Sequence, residues 1–244
     1  MKKLKAVGLV AVLAVTGTLT TAQAANENKS CVAYTKLDNL CITIPEFESY
    51  YKKYQQRVLS RVGKGNWYFN LSDEIAASKE LLYQKILLHE AEKNKIENTP
   101  YYKKYLPEIR KEIKNIESYV QGLKKQGKIN DKQARILESK LKERLINGYK
   151  EKAYLDMALK DAMKVTTDDI NNFMMAHKGE YGFVPDPKNP KLKVIEKRQL
   201  VEGIREMKME IATEQLKNYL TKKYGIVINK ELLKELENKN KDKR

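Results

Sequence analysis

The chain contains few of the residues that catalytic and metal sites use most often. Its 244 residues include only two His and two Cys, too few ligands for an ordinary zinc site, and no nucleotide-binding glycine motif. Eleven Gly and six Pro exclude a collagen-like or linker-dominated chain. These shortages disfavour metal-dependent chemistry and most histidine-based catalysis, so we expect neither a metal nor a cofactor.

Basic residues and tyrosine are abundant instead. The 48 Lys and Arg outnumber the 32 Asp and Glu, which gives a formal net charge of +16, and 15 Tyr stand beside 4 Phe and 1 Trp. A hydrophobic fraction of 41% suffices for a core, whereas a charged fraction of 33% is too high for a polytopic membrane protein. The length fits one elongated domain or two small ones.

The first 24 residues have the pattern of an export signal. Three lysines within the first five residues precede an apolar stretch from Ala6 to Leu19 and the small-residue motif Ala22-Gln23-Ala24. The stretch is shorter than the roughly 20 residues that span a bilayer, which disfavours the alternative of a retained anchor. We predict cleavage after Ala24, a periplasmic or otherwise exported location, and a mature formal charge of +13.

Export changes which partners the positive charge implies. A basic cytosolic chain would suggest nucleic acid, but for an exported chain we expect no nucleic-acid partner. The polyanions outside the cytosol are lipid head groups, cell-wall components and acidic segments of other exported chains. A weak contact with an anionic membrane surface is therefore one expectation, and a solvated basic surface without a specific partner is the alternative.

The two cysteines are expected to form a disulfide. Cys31 and Cys41 enclose nine residues, and the turn-forming pair Asp38-Asn39 lies between β-prone segments. In an oxidising compartment this arrangement predicts a stapled hairpin. The alternative, a redox-active pair, lacks the Cys-x-x-Cys spacing that lowers the pKa of a thiol.

Most of the remaining chain shows apolar residues at helical spacing. Helix-starting signals occur at Thr43, at Ser72-Asp73-Glu74, at Asn130 and at Thr166. The fold class that we predict is all-α, with one minor β pairing between the segment near Cys31 and the segment Ile226–Ile228.

The pattern divides the chain into five parts. A proline-containing connection separates two helical parts, and a highly charged tail ends the chain. The predicted boundaries are 1–24 for the signal peptide, 25–178 for the N-terminal helical part, 179–193 for the connection, 194–236 for the C-terminal helix and strand, and 237–244 for a disordered tail.

No credible catalytic site appears in the sequence, and two features favour binding instead. Tyrosine and tryptophan provide apolar contact area with a polar tip, and the flexible methionines at 163, 174, 175, 207 and 209 tolerate varied partners. The alternative is that these side chains belong to an ordinary helical core. The candidate peptide-binding residues are Trp67, Tyr68, Phe69, Tyr50, Tyr54 and Met174.

The order of four motifs resembles that of the SurA/PrsA-like exported chaperones. The matching segments are Cys41–Phe47, Leu81–Lys93, Val165–Phe173 and Glu196–Ile228. In that family a parvulin isomerase domain usually lies between the last two segments, and the residues from Lys178 to Ile195 are too few to hold it. The resemblance therefore implies a helical chaperone domain without its catalytic insert, and argues against enzyme activity.

The function that the resemblance implies is that of an ATP-independent holdase. It would bind unfolded or outer-membrane-bound polypeptides in a helical cradle, with a basic rim that favours acidic clients. Two alternatives remain: a structural coiled-coil protein of the Skp type, and a peptidyl-prolyl isomerase relative with residual activity. Interruptions of the apolar stripes by Gly and Pro disfavour the coiled coil. The oligomeric state remains open.

Overall fold

A computed structural model describes residues 30–63, 69–183, 191 and 193–241. The predicted signal peptide lies outside the described residues. The elements follow in chain order: β1 (Cys31–Thr35), β2 (Cys41–Thr43), α1 (Ile44–Val62), α2 (Leu71–Lys93), a 3-10 turn (Ile96–Asn98), α3 (Pro100–Lys103), α4 (Leu106–Lys125), α5 (Asp131–Ala158), α6 (Thr167–Ala176), β3 (Tyr181–Gly182), β4 (Lys193–Val194), α7 (Lys197–Tyr224), β5 (Ile226–Ile228) and α8 (Lys230–Lys241). The fold is mainly helical with a small sheet of short strands, as predicted. The parallel pairing of β3 with β4 was not predicted. Among these helices none is long and apolar enough to cross a membrane.

The predicted hairpin and disulfide are confirmed. Strands β1 and β2 pair antiparallel, and the Sγ atoms of Cys31 and Cys41 are 2.09 Å apart. At the tip of the connection, Asp38 and Asn39 have φ angles of 61° and 48°, the left-handed conformation that Asp and Asn tolerate better than most residues. The disulfide therefore closes a turn that the local sequence already favours.

The predicted pairing between the two ends of the fold is also present. Strand β5 pairs antiparallel with β1, with Ala33 opposite Ile228 and Thr35 opposite Ile226. Gly225 ends α7 with a φ of 61°. This glycine allows the chain to turn directly from the helix into the strand, because a Cβ in this conformation would be strained.

The predicted helix starts at Thr43, Asn130 and Thr166 are confirmed, each with a capping box. Helix α2 begins slightly earlier than the sequence suggested. Asn70 is its cap, and the Asn70 side chain accepts a hydrogen bond from the Ser72 N–H at 2.8 Å. The helix therefore begins at Leu71, one residue before the predicted start at Ser72, because the capping side chain is Asn70.

The C-terminal tail differs from the prediction. Helix α8 continues to Lys241, so residues 237–241 are helical rather than disordered, and residues 242–244 lie outside the described part. Leu233 and Leu236 are buried against the main core. This anchoring stabilises the helix, which its highly charged end would not form by itself.

Helix α2 lies at the centre of the main core. Its side chains Leu82 and Ile86 are fully buried, and it packs against α1, α5, the sheet, α7 and α8. The main core brings Val32 and Ile42 of the sheet together with Leu220 of α7. A helix that is apolar on several faces needs such partners on every side.

A second apolar centre lies outside the main core. Helix α6 packs against α7, and the short strands β3 and β4 pair in parallel beside them. We call residues 167–183 and 193–212 the arm. Leu200, Ile204 and Ala212 are buried there but do not belong to the main core. Most of the proline-containing connection, residues 184–190 and 192, lies outside the described residues.

Candidate functional site

Three of the candidate binding residues lie together on α1 and the following segment. The ring of Tyr51 stacks on that of Tyr54 with centroids 6.1 Å apart, and meets that of Phe69 edge-on at 6.2 Å. The guanidinium of Arg57 lies over the rings of Tyr50 and Tyr54, and donates a hydrogen bond of 2.9 Å to the Tyr50 hydroxyl. The structure therefore brings three of the candidate residues together, with Tyr51 and Arg57 beside them.

This aromatic cluster is partly buried against the main core. Burial, reinforced by the nearby carboxylate of Glu80, raises the pKa of Tyr50 to about 12. Packing at the junction of α1 and α2 thus accounts for much of the cluster's contact area. The binding role of Tyr50, Tyr54 and Phe69 stays a prediction, and Trp67 and Tyr68 lie outside the described residues.

Met174 lies in the arm and not with the aromatic cluster. The arm carries a concentration of exposed apolar side chains. Of the eleven large apolar residues that are exposed in the described part of the chain, six belong to the arm. These six are Met175, Phe183, Val194, Met207, Met209 and Ile211. Met207 and Ile211 lie on one face of α7, and Met209 lies on the opposite face. A concentration of exposed apolar side chains in one part of a fold favours a binding role there, whereas single exposed apolar residues are ordinary.

An ion pair between helices positions this surface. The Nζ atom of Lys208 in α7 donates to Oδ2 of Asp169 and to the carbonyl oxygen of Lys164, both at 2.7 Å. The hydrogen bonds from Lys208 and from Thr166 lower the pKa of Asp169 to about 2. Because this pair joins the first turn of α6 to the middle of α7, it holds the two helices in a fixed register.

Within the arm, one apolar stripe along α7 changes from buried to exposed. Its residues Leu200, Ile204, Met207 and Ile211 follow one another at spacings of four, three and four residues, and so share one helix face. Leu200 and Ile204 are buried, whereas Met207 and Ile211, one turn apart, are 46% and 60% exposed. The exposed pair is therefore not needed to fill the arm's interior. The sequence indicated the methionines as a group but gave no sign of Ile211, Phe183 and Val194, because exposure cannot be read from residue type.

A groove between α4 and α5 is a second candidate site, which the sequence did not indicate. Its volume is about 430 Å³. Apolar residues dominate its lining, and the lining residues are Ile116, Leu141, Arg144, Leu145, Gly148, Tyr149 and Lys152. The groove thus combines an apolar floor with a basic edge.

A more polar cavity lies on the other side of α5, facing α2. Its volume is about 550 Å³, and Lys85, Lys140 and Arg144 line it together with Glu151. Burial raises the pKa of the Glu151 carboxyl to about 7. The Glu151 carboxyl therefore gains or loses its proton near neutral pH.

The buried carboxylate of Glu90 belongs to the scaffold and not to an open site. Its Oε1 atom accepts hydrogen bonds of 2.5 Å from Lys223 Nζ and from the Tyr224 hydroxyl, and Tyr154 contacts its other oxygen at 3.4 Å. Burial opposes ionisation, but the hydrogen bonds from Lys223 and Tyr224 hold the pKa of Glu90 below its usual value. This network ties α7 to α2.

Both histidines take part in surface contacts. The ring of His89 lies 2.8 Å from Oδ2 of Asp38 in the hairpin turn, and the ring of His177 lies 3.2 Å from Glu180. Over the described ranges, no group of three or more His, Cys, Asp or Glu residues is arranged to hold a metal ion.

Comparisons with known proteins assign no family to this chain. No family model, no curated protein and no solved structure matches it.

Proposed function

We propose that this protein is an exported, ATP-independent holdase chaperone that binds unfolded polypeptides on the apolar surface of the arm. The observation that carries the proposal is the group of six exposed large apolar side chains between Met175 and Ile211. Unfolded chains expose apolar segments of varied shape. Flexible methionine side chains adapt to such segments better than branched ones do.

The separate interior of the arm supports this assignment. Leu200 and Ile204 pack inside the arm, so Met207 and Ile211 are available for a partner without loss of the arm's own packing. Three of the six exposed residues are methionines. An apolar surface that is not needed for folding is a solubility liability unless a partner covers it, which favours a binding role.

The charge and the predicted export fit the same role. A mature charge of +13 keeps the chaperone dispersed and attracts acidic client segments. The disulfide between Cys31 and Cys41 is consistent with an oxidising compartment. The resemblance to the SurA/PrsA-like chaperones supports a helical chaperone domain without a parvulin insert.

The experiment that tests the proposal measures the aggregation of a chemically unfolded client by light scattering. We expect the wild-type protein to suppress aggregation at a near-stoichiometric ratio without ATP. The double variant Met207→Gln/Ile211→Gln should need several-fold more protein, because it removes apolar contact area while keeping helix-forming side chains.

A matched control changes two exposed apolar residues outside the arm. Leu37 and Tyr219 are 41% and 59% exposed, and Leu37→Gln/Tyr219→Gln should suppress aggregation as the wild type does. Absence of suppression by the wild type at every ratio would overturn the chaperone proposal. Equal loss in the control and in the arm variant would overturn the assignment to the arm.

A further inference from the structure

The groove between α4 and α5 has a feature that packing within the chain does not explain. Gly148 lies in the interior of the 28-residue helix α5, where glycine costs about 1 kcal/mol relative to alanine. A Cβ built on Gly148 would meet no atom within 4 Å. No close approach of another part of the described chain therefore requires a glycine at position 148.

Because Gly148 has no side chain, the surface of α5 has an open space at this position. Gly148 lines the groove facing α4 and also the cavity facing α2, and Arg144, one turn earlier, lines both. The groove's volume of about 430 Å³ falls within the range of clefts that hold ligands, roughly 300–1,000 Å³. Leu141 and Leu145 provide apolar walls for a large side chain.

The charges that line the groove are all positive. Lys152 lies over the rings of Tyr105 and Tyr149, with Nζ 4.6 and 5.8 Å from the ring centroids. The Arg144 side chain is exposed, and its guanidinium has no ion pair or hydrogen bond to any residue that the structure describes. Glu108 lies near the Tyr149 hydroxyl at one end of the groove. Glu143 and Glu151 line the cavity on the other side of α5 together with Arg144, but neither forms an ion pair with its guanidinium.

We propose that the groove between α4 and α5 binds one large apolar side chain of an acidic client segment, with a client carboxylate paired to Arg144. The apolar walls and the gap at Gly148 accept the side chain, and the basic edge selects the acidic neighbour. This inference rests on the proposed chaperone function and deepens it, because it defines the class of client segment. It places that segment outside the arm.

The test measures the fluorescence anisotropy of three labelled peptides that share a central Leu-Phe pair. The flanking residues are Asp and Glu in the first, Asn and Gln in the second, and Lys in the third. We expect the acidic peptide to bind wild-type protein most tightly. The preference for the acidic over the neutral peptide should fall in Arg144→Gln, because the variant removes the paired charge.

Variants at Gly148 test the groove itself without a risk to folding. Gly148→Leu fills the groove and should weaken binding of the acidic peptide by about tenfold, the change expected for losing the burial of one large apolar side chain. Gly148→Ala is the matched control and should bind as the wild type does. Both replacements favour the helix, and circular dichroism should show retained helicity in both.

The outcomes separate this inference from the proposed function. If Gly148→Leu binds the acidic peptide as tightly as the wild type, or if the Lys peptide binds equally well, the groove assignment is wrong even though aggregation is still suppressed. If the wild type neither binds peptides nor suppresses aggregation, the chaperone proposal fails first. If Gly148→Leu alters sedimentation while no peptide binds, the groove holds a second copy of the chain, which also overturns the inference.

Discussion

The main core around α2 and the arm use their apolar and charged residues differently. In the main core the buried carboxylate of Glu90 is held by Lys223 and Tyr224, and the sheet is closed by a disulfide. In the arm a single ion pair between Lys208 and Asp169 sets the register, and six large apolar side chains remain exposed. The comparison indicates that the main core provides stability and that the arm provides accessible apolar surface.

The largest expected effect on stability comes from a substitution in the main core. Glu90→Ala should lower the free energy of unfolding by about 3–5 kcal/mol, because it leaves Lys223 and Tyr224 without their buried acceptor. Urea denaturation at pH 7 measures this loss. Glu90→Gln keeps the shape and should cost less.

The control for Glu90 is an exposed carboxylate. Glu202 pairs with Arg198 on the surface of α7, and Glu202→Gln should change the free energy of unfolding by less than about 0.5 kcal/mol. The folded-state pKa of Glu90 is lowered from its usual value of 4.5. Its contribution to stability is therefore present above pH 4.5 and is lost as the pH falls through the folded-state pKa. A loss in Glu202→Gln equal to that in Glu90→Ala would contradict the distinction between the regions.

The second effect concerns the disulfide in the same region. Cys31→Ala/Cys41→Ala should lower the free energy of unfolding by about 2–3 kcal/mol, because the unfolded chain regains the entropy of a short loop. Denaturation with and without a reductant should show the same loss in the wild type and no further loss in the variant. An unchanged wild-type midpoint in reductant would show that the hairpin does not need the bridge.

The third effect is a gain in stability. Glu151→Gln should raise the free energy of unfolding by about 1–2 kcal/mol at pH 8, since the shift of the Glu151 pKa from 4.5 to about 7 corresponds to about 3 kcal/mol before solvent screening. A raised folded-state pKa means that wild-type stability is complete below pH 4.5 and falls as the pH rises through 7. The difference between the proteins should therefore disappear below pH 4.5. A constant difference at all pH values would contradict this origin.

Local sequence signals predicted much of the scaffold. The helix caps at Thr43, Asn130 and Thr166 were identified because a capping side chain and its partner lie only three residues apart. The Cys31–Cys41 hairpin was identified for a similar reason, since its turn residues are consecutive. The cap of α2 at Asn70 was missed because Ser72, two residues later, carries an equally common capping side chain.

The candidate sites depend on contacts between distant residues, which local patterns do not specify. The sequence grouped Trp67, Tyr68 and Phe69 because they are consecutive, whereas the structure places Phe69 beside Tyr51 of α1. It also gave no reason to single out Gly148, whose importance comes from the space between α4 and α5. Met207 and Ile211 continue the apolar stripe of Leu200 and Ile204. Their exposure therefore depends on how far along α7 other elements cover that stripe, which is set by the tertiary arrangement.

The smallest effect on stability is expected from substitutions of the exposed apolar residues in the arm. Met207→Gln/Ile211→Gln should change the free energy of unfolding by less than about 0.5 kcal/mol, because both side chains are already largely exposed. Ile204→Ala, which empties the arm's own interior, is the matched comparison and should cost about 2–4 kcal/mol, unless the arm unfolds separately. Hydrogen exchange of α6 amides distinguishes these cases, since separate unfolding would accelerate exchange in the arm while α2 stays protected. If the Gln variant were as unstable as Ile204→Ala, Met207 and Ile211 would be packing residues, and the apolar surface proposed for client binding would not exist.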